Sequence, residues 1–464
     1  MLRQNGQDSS CKAIALGLAA ACFILVSSCD SSTAPLRSSA PNVSASRSLT
    51  EHASEHGIVV VGTGNPIVDV PAVQAAVDHG GDVILKGHFS FDAPATKPVA
   101  AQLASTGGGQ PPAAEVLIAK AVSISGARGE DGGMTTIDRG TIPFYVDAPG
   151  QRVTIRGLHF VDPKADAIVV YAVQGLEVAA SRIEGAEPFR GLSQGIAVVN
   201  GGGIPNPTNP GHPENVSGTL RIVDNDIDMT GGTSSVDNTL GVTVFSVGVV
   251  GAEVDAQVIG NRIRNVTEPA INFRRVVGHA AIEHNVITTG TAFGNAPRNQ
   301  AIRVVNIGSY LVAHNSITCE WALADAEGIG VFSQFATWPI EQAVIVDNNI
   351  RMSAPEGTVF TAFSAGIGVY GFAQDNVVRD NRIRGAALAG VSIPSVFPLP
   401  PQTPANPLDN AFIRNRFMRF TPSDADIFVG NHAVGTRIVG RGTLDDQGTG
   451  TIVVRNAGSK ELIR

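Results

Sequence analysis

Apolar and polar positions alternate in short runs along most of the chain, and one short pattern recurs within these runs. The pattern is an apolar residue, two variable residues, an asparagine, one variable residue and a second apolar residue. Its asparagines are Asn225, Asn261, Asn285, Asn315, Asn348, Asn381 and Asn415. Two degenerate copies carry Leu158 and Ser181 in place of the asparagine. β-branched residues flanking a turn residue predict short strands joined by tight bends, with the apolar side chains facing inward.

The asparagine of the pattern is suited to such a bend for two reasons. Asparagine tolerates a left-handed backbone conformation, and its side chain can form local hydrogen bonds. If successive bends stack, the amides can also bond to one another along the stack. We therefore interpret the seven asparagines as structural residues rather than catalytic ones.

A second strand is predicted before each copy of the pattern, because two apolar residues separated by one residue recur there. These pairs are Ile168 and Val170, Ile196 and Val198, Val242 and Val244, Ile271 and Phe273, Ile302 and Val304, Ile329 and Val331, Ile367 and Val369, Val391 and Ile393, and Ile427 and Val429. Residues two apart on a strand face the same side, so each pair faces the core. Earlier coils are indicated by Val122 to Ile124 and by Phe144 to Val146.

The Asn-x-Ile repeats resemble the parallel β-helix repeat of the pectate-lyase-like superfamily, over roughly residues 60 to 445. The resemblance implies an all-β fold, a right-handed parallel β-helix whose coils stack along one axis. One segment differs, because Val70, Val73 and Val77 share a helical face. We expect a short N-terminal capping helix there, with Asp69 as its N-cap and Gly80 at its end, covering an open sheet edge.

The outward positions of the recurring strand form two columns that contain several aromatic residues. Exposed aromatic rings aligned on a sheet face are unexpected for a plain solvated surface, and sugars stack on such rings. The residues that we predict to bind a substrate are Tyr171, Phe245, Asn272, Phe332 and Tyr370.

Two arginines, Arg274 and Arg303, lie in the same columns. They come from adjacent coils, so we expect their backbones about one strand spacing, ~4.8 Å, apart. Uronate lyases of the superfamily neutralise a substrate carboxylate with a cation or an arginine, and related hydrolases use pairs of carboxylates. By that resemblance Arg274 and Arg303 are candidate catalytic residues. The candidate acids or bases in the preceding turns are Glu268, Asp325 and Glu327.

No catalytic motif of the superfamily is recognisable in the sequence. There is no aspartate cluster for calcium and no aspartate pair followed by Gly-His-Gly, and Asp445 and Asp446 are interpreted as part of a turn beyond the last coil. We therefore expect no metal and no cofactor.

Long inserts flank the recurring strand, which favours a groove along it. They span residues 200–218, 333–342 and 394–410 after the strand, and residues 231–241, 289–300 and 353–366 before it. The bend at the asparagine, by contrast, takes no insertion.

A rival surface lies around the asparagine bends, where arginines recur at outward positions. They are Arg182, Arg262, Arg264, Arg351, Arg382, Arg384 and Arg416. This stripe is suited to an anionic polymer or a phosphate surface. We favour a solvated face whose charge is balanced by nearby aspartates, namely Asp224, Asp226, Asp228, Asp347 and Asp380.

The first residues indicate export. A positively charged start precedes an apolar run that is too short for a comfortable membrane span, and Val26-Ser27-Ser28-Cys29 resembles the bacterial lipobox. The resemblance implies a lipoprotein signal peptide over residues 1–28 and acylation of Cys29; an ordinary signal peptide is the alternative. Residues 29–56 are rich in Ser, Thr, Ala and Pro and predict a flexible tether, with the β-helix domain over residues 57–464. We expect a membrane-anchored protein that faces the periplasm or the cell surface.

The composition of the chain limits which kinds of partner we expect. A formal net charge of -8 argues against a general nucleic-acid binder. If Cys29 is acylated, Cys319 has no cysteine to pair with in the mature chain, and we expect a monomer without disulfides.

Three functions fit these observations. The first is a lipid-anchored envelope protein that binds an acidic polysaccharide in the groove without turnover, which best explains the missing catalytic motifs. The second is a polysaccharide lyase or glycoside hydrolase acting on uronate-containing polymers. The third is a non-catalytic envelope spacer.

Overall fold

Each coil of the protein contains up to three short strands, which we call the groove strand, the central strand and the back strand in the order in which the chain passes through them. The structure is a computed structural model. It describes residues 57–99, 113–129, 132–185, 192–200, 212–230, 238–290, 299–305, 309–320, 326–333, 340–358, 364–385, 389–393, 407–419 and 425–455.

The groove strands and central strands form one parallel sheet. Its groove strands are Val116–Ile118, Phe144–Arg156, Ile168–Ala179, Leu192–Val199, Asn238–Val247, Ile271–Val276, Gln300–Val305, Glu327–Ser333, Ala365–Gly371, Ala389–Ile393, Ile427–Val429 and Leu444–Asp446. The strands Phe144–Arg156 and Ile168–Ala179 continue into the central column. The other central strands are Ile58–Val61, Gly81–Lys86, Val122–Gly126, Val216–Val223, Val254–Ile259, Gly278–Glu283, Ser309–Ala313, Val344–Val346, Val377–Arg379, Ala411–Ile413, Arg437–Val439 and Ile452–Val454.

The back strands form a second parallel sheet. They are His88–Ser90, Thr135–Asp138, Leu158–Val161, Arg182–Glu184, Asp226–Asp228, Arg262–Val266, Val286–Thr289, Ser316–Cys319, Asn349–Met352, Arg382–Gly385 and Arg416–Arg419. Smaller elements are the antiparallel pair Lys97–Pro98 and Ala113–Ala114, the parallel pair Ile340–Glu341 and Ala373–Gln374, and a 3₁₀ turn at Pro213–Asn215.

The pairing register confirms the predicted repeat. Successive groove strands align Ile168, Ile196, Val242, Ile271, Ile302, Ile329, Ile367, Val391 and Ile427 in one column. Each predicted core pair thus stacks on the pair of the next coil. The all-β class and the right-handed parallel β-helix are confirmed.

The core is a continuous column of Val, Ile, Leu and Phe contributed by all three strand types. In several coils the position directly before the core pair of the groove strand is a glycine, because the back strand approaches it closely. A Cβ at Gly366 would lie 2.3 Å from Ile383 Cγ2, and one at Gly328 would lie 2.6 Å from Ile350 Cγ2. Glycine at this corner therefore allows the buried isoleucines of the back sheet to fill the coil.

The seven asparagines form the predicted ladder between the central and back strands. Each side-chain amide from Asn225 to Asn381 donates to Oδ1 of the next asparagine at 2.9–3.0 Å. The backbone N–H of the same residue donates to the same Oδ1 atom. Ser181 begins the ladder, because its backbone N–H donates to Asn225 Oδ1.

The asparagine is not the left-handed residue of the bend. Positive φ occurs at the residue before it, as at His284 (57°), His314 (57°) and Asp380 (58°). The preceding residue therefore makes the bend, and the asparagine supplies the amide that joins adjacent bends. A second, shorter ladder that the sequence pattern did not reveal joins Asn376 and Asn410, with Nδ2 donating to Oδ1 at 2.9 Å.

The N-terminal helix spans Pro66–His79 and ends at Gly80, as predicted. Its N-cap is Asn65, whose Oδ1 accepts a hydrogen bond from the backbone N–H of Ile67 at 3.2 Å, so the prediction of Asp69 as the N-cap was wrong. Asp69 lies in the first turn, buried, and accepts hydrogen bonds from the backbone N–H groups of Thr63 and Ser90.

The helix caps the first groove strand through a side-chain amide. Gln74 donates to the carbonyl of Leu117 and accepts from its N–H, both at 2.9 Å. The pair of bonds satisfies a strand edge that would otherwise face solvent.

At the C-terminal end, Asp445 and Asp446 lie on the strand Leu444–Asp446, which pairs in parallel with Ile427–Val429. Their interpretation as part of a turn was wrong, because a further partial coil follows. Cys319 is a buried free thiol. No helix in the described part of the chain is long and apolar enough to cross a membrane.

Candidate functional site

The candidate site lies on the outer face of the groove strands in the middle coils, with Arg303 at its centre. Arg303 stands between Asn272 of the preceding coil and Gly330 of the next. Its Nε donates to Gln300 Oε1 at 2.6 Å, and its guanidinium lies 3.8 Å from Glu268 Oε2. The side chains of Arg303 and Glu268 are 18% and 14% exposed, so this ion pair is largely shielded from solvent.

A chain of buried hydrogen bonds continues from Gln300 across the next two coils. Gln300 Nε2 donates to Tyr370 Oη at 3.0 Å, and Tyr370 Oη donates to Glu327 Oε2 at 3.3 Å. Gln300, Glu327 and Tyr370 are fully buried. The network thus connects the coils of Glu268, Gln300, Glu327 and Tyr370 and holds Arg303 through its Nε.

Two glycines on the groove strands make room for this network. A Cβ at Gly330 would lie 2.2 Å from Gln300 Cγ and 2.6 Å from Glu327 Oε2. One at Gly368 would lie 2.6 Å from Glu327 Oε1. The outward positions one and two coils after Arg303 therefore carry no side chain, because Gln300 and Glu327 occupy the space there.

The predicted aromatic residues are mostly buried, so their expected exposure was wrong for Phe245, Phe332 and Tyr370. Phe332 and Tyr370 stack on each other, with ring centroids 4.7 Å apart and an interplanar angle of 9°. Tyr171 is half-buried and stacks on Tyr145 at 6.3 Å. Neighbouring rings on successive coils cover one another, which removes their faces from solvent. Contact of these residues with a substrate stays a prediction.

Arg274 lies one coil before Arg303, and its guanidinium is positioned over the ring of Phe245 at 5.4 Å. Burial, followed by the charges of Arg303 and Arg275, lowers the pKa of Arg274 to about 10. Among the described residues Arg274 has no ion-pair partner. The group nevertheless stays cationic at neutral pH, so the site contains a shielded positive charge.

The two predicted arginines are not direct neighbours. Arg303 pairs in register with Asn272, whereas Arg274 pairs with Val305. One coil and two residues separate them, so their backbones are roughly 8 Å apart rather than one strand spacing. Long side chains still allow both guanidiniums to reach one anionic group.

A backbone irregularity adds a third arginine. Ser246 and Arg275 both have positive φ, 55° and 52°, directly after the outward residues Phe245 and Arg274. This conformation reverses the inward and outward alternation, so Val247 and Val276 enter the core while Arg275 stays outside it. Burial also lowers the pKa of Arg275.

Glu268 is the carboxyl group that lies beside Arg303 in this site. Burial raises its pKa, and the charge of Arg303 opposes that shift. Asn272 Oδ1 and Thr243 Oγ1 are buried on the same outer face without hydrogen-bond partners among the described residues. The site thus combines guanidiniums, a carboxyl group and two polar atoms that a ligand or water can satisfy.

Several predicted features fall outside the described residues: Asp325, Cys29 and most of the inserts expected to wall the groove. Gln300 and Arg275, by contrast, are site residues that sequence reasoning missed. Gln300 shares its register position with Glu327, two residues before the core pair, so extending the column by two residues would have found it. Within the described ranges no group of three or more His, Cys, Asp or Glu side chains is arranged to hold a metal ion.

Comparison with known proteins gives likeness in fold alone. No protein-family model matches the sequence, and a search of the curated proteins finds no match. Among solved structures, PfbA, a surface adhesin of Streptococcus pneumoniae, is 10% identical, with 82% of this chain and 93% of the adhesin covered and a TM-score of 0.43. The tailspike protein of E. coli bacteriophage HK620, in complex with a pentasaccharide, is 11% identical, with 84% of this chain and 76% of the tailspike chain covered and a TM-score of 0.44. The PL6 family alginate lyase AlyGC is 12% identical, with 87% of this chain and 50% of the lyase chain covered and a TM-score of 0.42.

Proposed function

We propose that this protein binds an acidic polysaccharide across the outer face of its middle groove strands. The observation that carries the proposal is the guanidinium of Arg274, which has no ion-pair partner among the described residues. It is partly buried over the ring of Phe245 and is affected by the charges of Arg303 and Arg275. Such a charge is unfavourable by itself, because burial penalises it and Arg275 and Arg303 repel it. A carboxylate or sulfate group bound there would compensate the charge through paired N–H donors.

The polar atoms around Arg274 fit a sugar polymer better than an isolated ion. Asn272 Oδ1 and Thr243 Oγ1 are buried without partners among the described residues. Oxygens of these types can accept hydrogen bonds from sugar hydroxyl groups. The ring of Tyr171 is half-buried on the same face several coils away. A chain that runs along the coils would therefore contact an aromatic ring in addition to the arginines, and it would reach the two acceptors if neighbouring side chains move aside.

The binding test compares the full chain with single-site variants on immobilised or soluble uronate polymers and on a neutral glucan. Arg274→Met keeps the side-chain length and the contact with Phe245 but removes the charge, and we expect at least about tenfold weaker binding to uronate polymers, since charged hydrogen bonds contribute about 1.5–3 kcal/mol each. Arg156→Met, an exposed residue outside the groove, is the matched control. Equal affinity of Arg274→Met and wild type would refute the assignment of the site, and equal binding to the neutral glucan would refute the preference for acidic polymers.

Turnover is the second candidate function, and one observation favours it. Glu268 has a raised pKa and lies beside Arg303, which suits a general acid next to a group that neutralises a substrate carboxylate. The same incubations should be assayed for unsaturated and reducing ends. Product formation that is lost in Glu268→Gln, with binding retained, would identify an enzyme; absence of products with retained binding would support a binding protein.

We also propose that the protein is anchored in the cell envelope by acylation of Cys29. The support is the lipobox-like segment Val26-Ser27-Ser28-Cys29. Metabolic labelling with a fatty-acid analogue should label the wild type and not Cys29→Ala. Equal labelling of both would refute the anchor.

A further inference from the structure

The outer face of the back sheet carries charge of one sign at its C-terminal end. Two outward columns run along this sheet, and their members are set by the pairing register. In the last three back strands one column aligns Asn349, Arg382 and Arg416, and the other aligns Arg351, Arg384 and Met418. We call Arg351, Arg382, Arg384 and Arg416 the arginine grid.

Two arginines of the N-terminal back strands, Arg182 and Arg264, have acidic partners. Arg182 forms an ion pair with Glu184, and Arg264 pairs with Asp226 at 3.0 Å and with Asp228 at 3.4 Å. The next coils hold neutral residues at the same positions, including Ser316 and Thr318. The expectation of an arginine stripe balanced by aspartates is therefore met only in part of the sheet.

The arginine grid has no ion pair within the described residues, although all four side chains are exposed. The nearby Asp380 bonds instead to Arg379 at 3.1 Å and to Arg414 at 2.8 Å, on the central strand and the bend. Arg382 lies opposite Arg416 in register, and Arg351 lies opposite Arg384. Like charges directly opposite each other on adjacent strands are destabilising, so the grid costs stability unless an anion lies on it.

The surface around the arginine grid indicates what shape of partner it suits. The back strands here are each four residues long, and the asparagine bends that precede them carry no insertion. Met418 continues the column of Arg351 and Arg384 and is 64% exposed. A flat cationic face with an exposed methionine suits a planar surface of phosphate groups with apolar material beneath, rather than a single polymer chain held in a groove.

We propose that the arginine grid docks this end of the β-helix on an anionic membrane, with guanidiniums on lipid phosphates and Met418 at the interface. Each arginine supplies a planar fork of donors that matches phosphate oxygens. Clustered basic side chains add their attractions to a negatively charged leaflet, and salt weakens the total. The interaction uses a different face from the polysaccharide site and does not require acylation at Cys29.

The test measures co-sedimentation of the full chain with phosphatidylcholine vesicles that contain increasing fractions of phosphatidylglycerol. The apolar run near the N-terminus is identical in all variants, so the increase in binding with phosphatidylglycerol is the quantity compared. The test variant carries four substitutions: Arg351→Gln, Arg382→Gln, Arg384→Gln and Arg416→Gln. We expect its phosphatidylglycerol-dependent increase in binding to be at least about tenfold smaller than that of wild type, since each basic residue near a charged leaflet contributes measurably to membrane binding. The corresponding lysine variant should keep most of it.

The matched control removes four exposed arginines elsewhere: Arg128, Arg152, Arg156 and Arg262, each changed to Gln. It alters net charge equally and should retain the increase. Far-UV circular dichroism and the thermal midpoint verify folding, and the grid variant should melt no lower than wild type because repulsion has been removed. Retention of the increase in the grid variant, or equal loss in the control, would overturn the proposal. So would a soluble acidic polysaccharide that binds through the grid while vesicles do not.

Discussion

The asparagine ladder makes a quantitative prediction that separates its contribution from that of strand pairing. Asn315 is buried in the middle of the ladder, and its side chain takes part in four hydrogen bonds. It accepts from the backbone N–H and from Nδ2 of Asn285 at 3.0 Å each. It donates to the Ile282 carbonyl and to Asn348 Oδ1 at 2.9 Å each.

Replacement of Asn315 by Ala leaves one group without a replacement partner. Asn285 Nδ2 still donates to the Val258 carbonyl, and Asn348 Oδ1 still accepts a hydrogen bond from the backbone N–H of residue 315. The buried backbone N–H of Asn285, however, loses its acceptor. An orphaned buried group costs about 1–3 kcal/mol, and the remaining bonds contribute about 1 kcal/mol each. We therefore expect the free energy of unfolding to fall by roughly 4–6 kcal/mol.

The chain itself supplies a partial rescue for this experiment. At Ser181 the hydroxyl takes the place of the amide and accepts from the backbone N–H of Leu158 at 3.3 Å. Asn315→Ser should accordingly recover part of the loss, since its Oγ can accept from the N–H of Asn285. The neighbouring Asn349→Ala removes an exposed amide of the same size and should change stability by less than about 0.5 kcal/mol.

Urea unfolding followed by circular dichroism measures the global effect. Coils of a solenoid can open locally, so hydrogen exchange of the peptide around residues 280–290 measures whether the orphaned N–H opens. Equal unfolding free energies for Asn315→Ala and Asn349→Ala would refute the reasoning and would assign the stability to strand pairing and core burial alone.

Three further predictions concern other parts of the protein. Gly366→Ala should destabilise the fold by about 1–3 kcal/mol in thermal or urea unfolding, because its Cβ would lie 2.3 Å from Ile383 Cγ2; an unchanged midpoint would show that the corner can relax. Burial raises the pKa of Asp166 to about 7 from an ordinary 3.8, so the folded state favours the protonated acid and loses stability as pH rises from about 4 to about 7. Asp166→Asn keeps an oxygen for the N–H of Gln194, so it should abolish that loss and exceed wild type in stability above pH 7; parallel pH profiles for both proteins would contradict this. Burial raises the pKa of Cys319 to about 12, so a thiol reagent should modify Cys319 only after unfolding, and rapid labelling of its peptide in the native protein, detected by mass spectrometry, would contradict its burial.

The sequence by itself determined the features that depend on neighbours along the chain. Strand alternation has a period of two, and a β-branched pair must face inward in every coil, so the core column from Ile168 to Ile427 and the asparagine bends were readable as repeats. The same local logic identified the N-terminal helix and its end at Gly80, but it placed the start about one turn too late. Both Asn65 and Asp69 are residue types that cap helices, and only backbone position distinguishes them.

Only the tertiary structure decided what the outward side chains meet. Whether Phe332 and Tyr370 are exposed depends on the ring of the next coil, and the contacts of Arg303 depend on Gln300, Glu327 and Tyr370 reaching across coils. A positive φ at Arg275 moved that side chain out of the core against the alternation of its own sequence. The arginine stripe, uniform in sequence, was divided by register into coils with acidic partners and coils without them. Side-chain contacts across coils depend on stacking order and reach rather than on local pattern, which is why they first become visible in the folded chain.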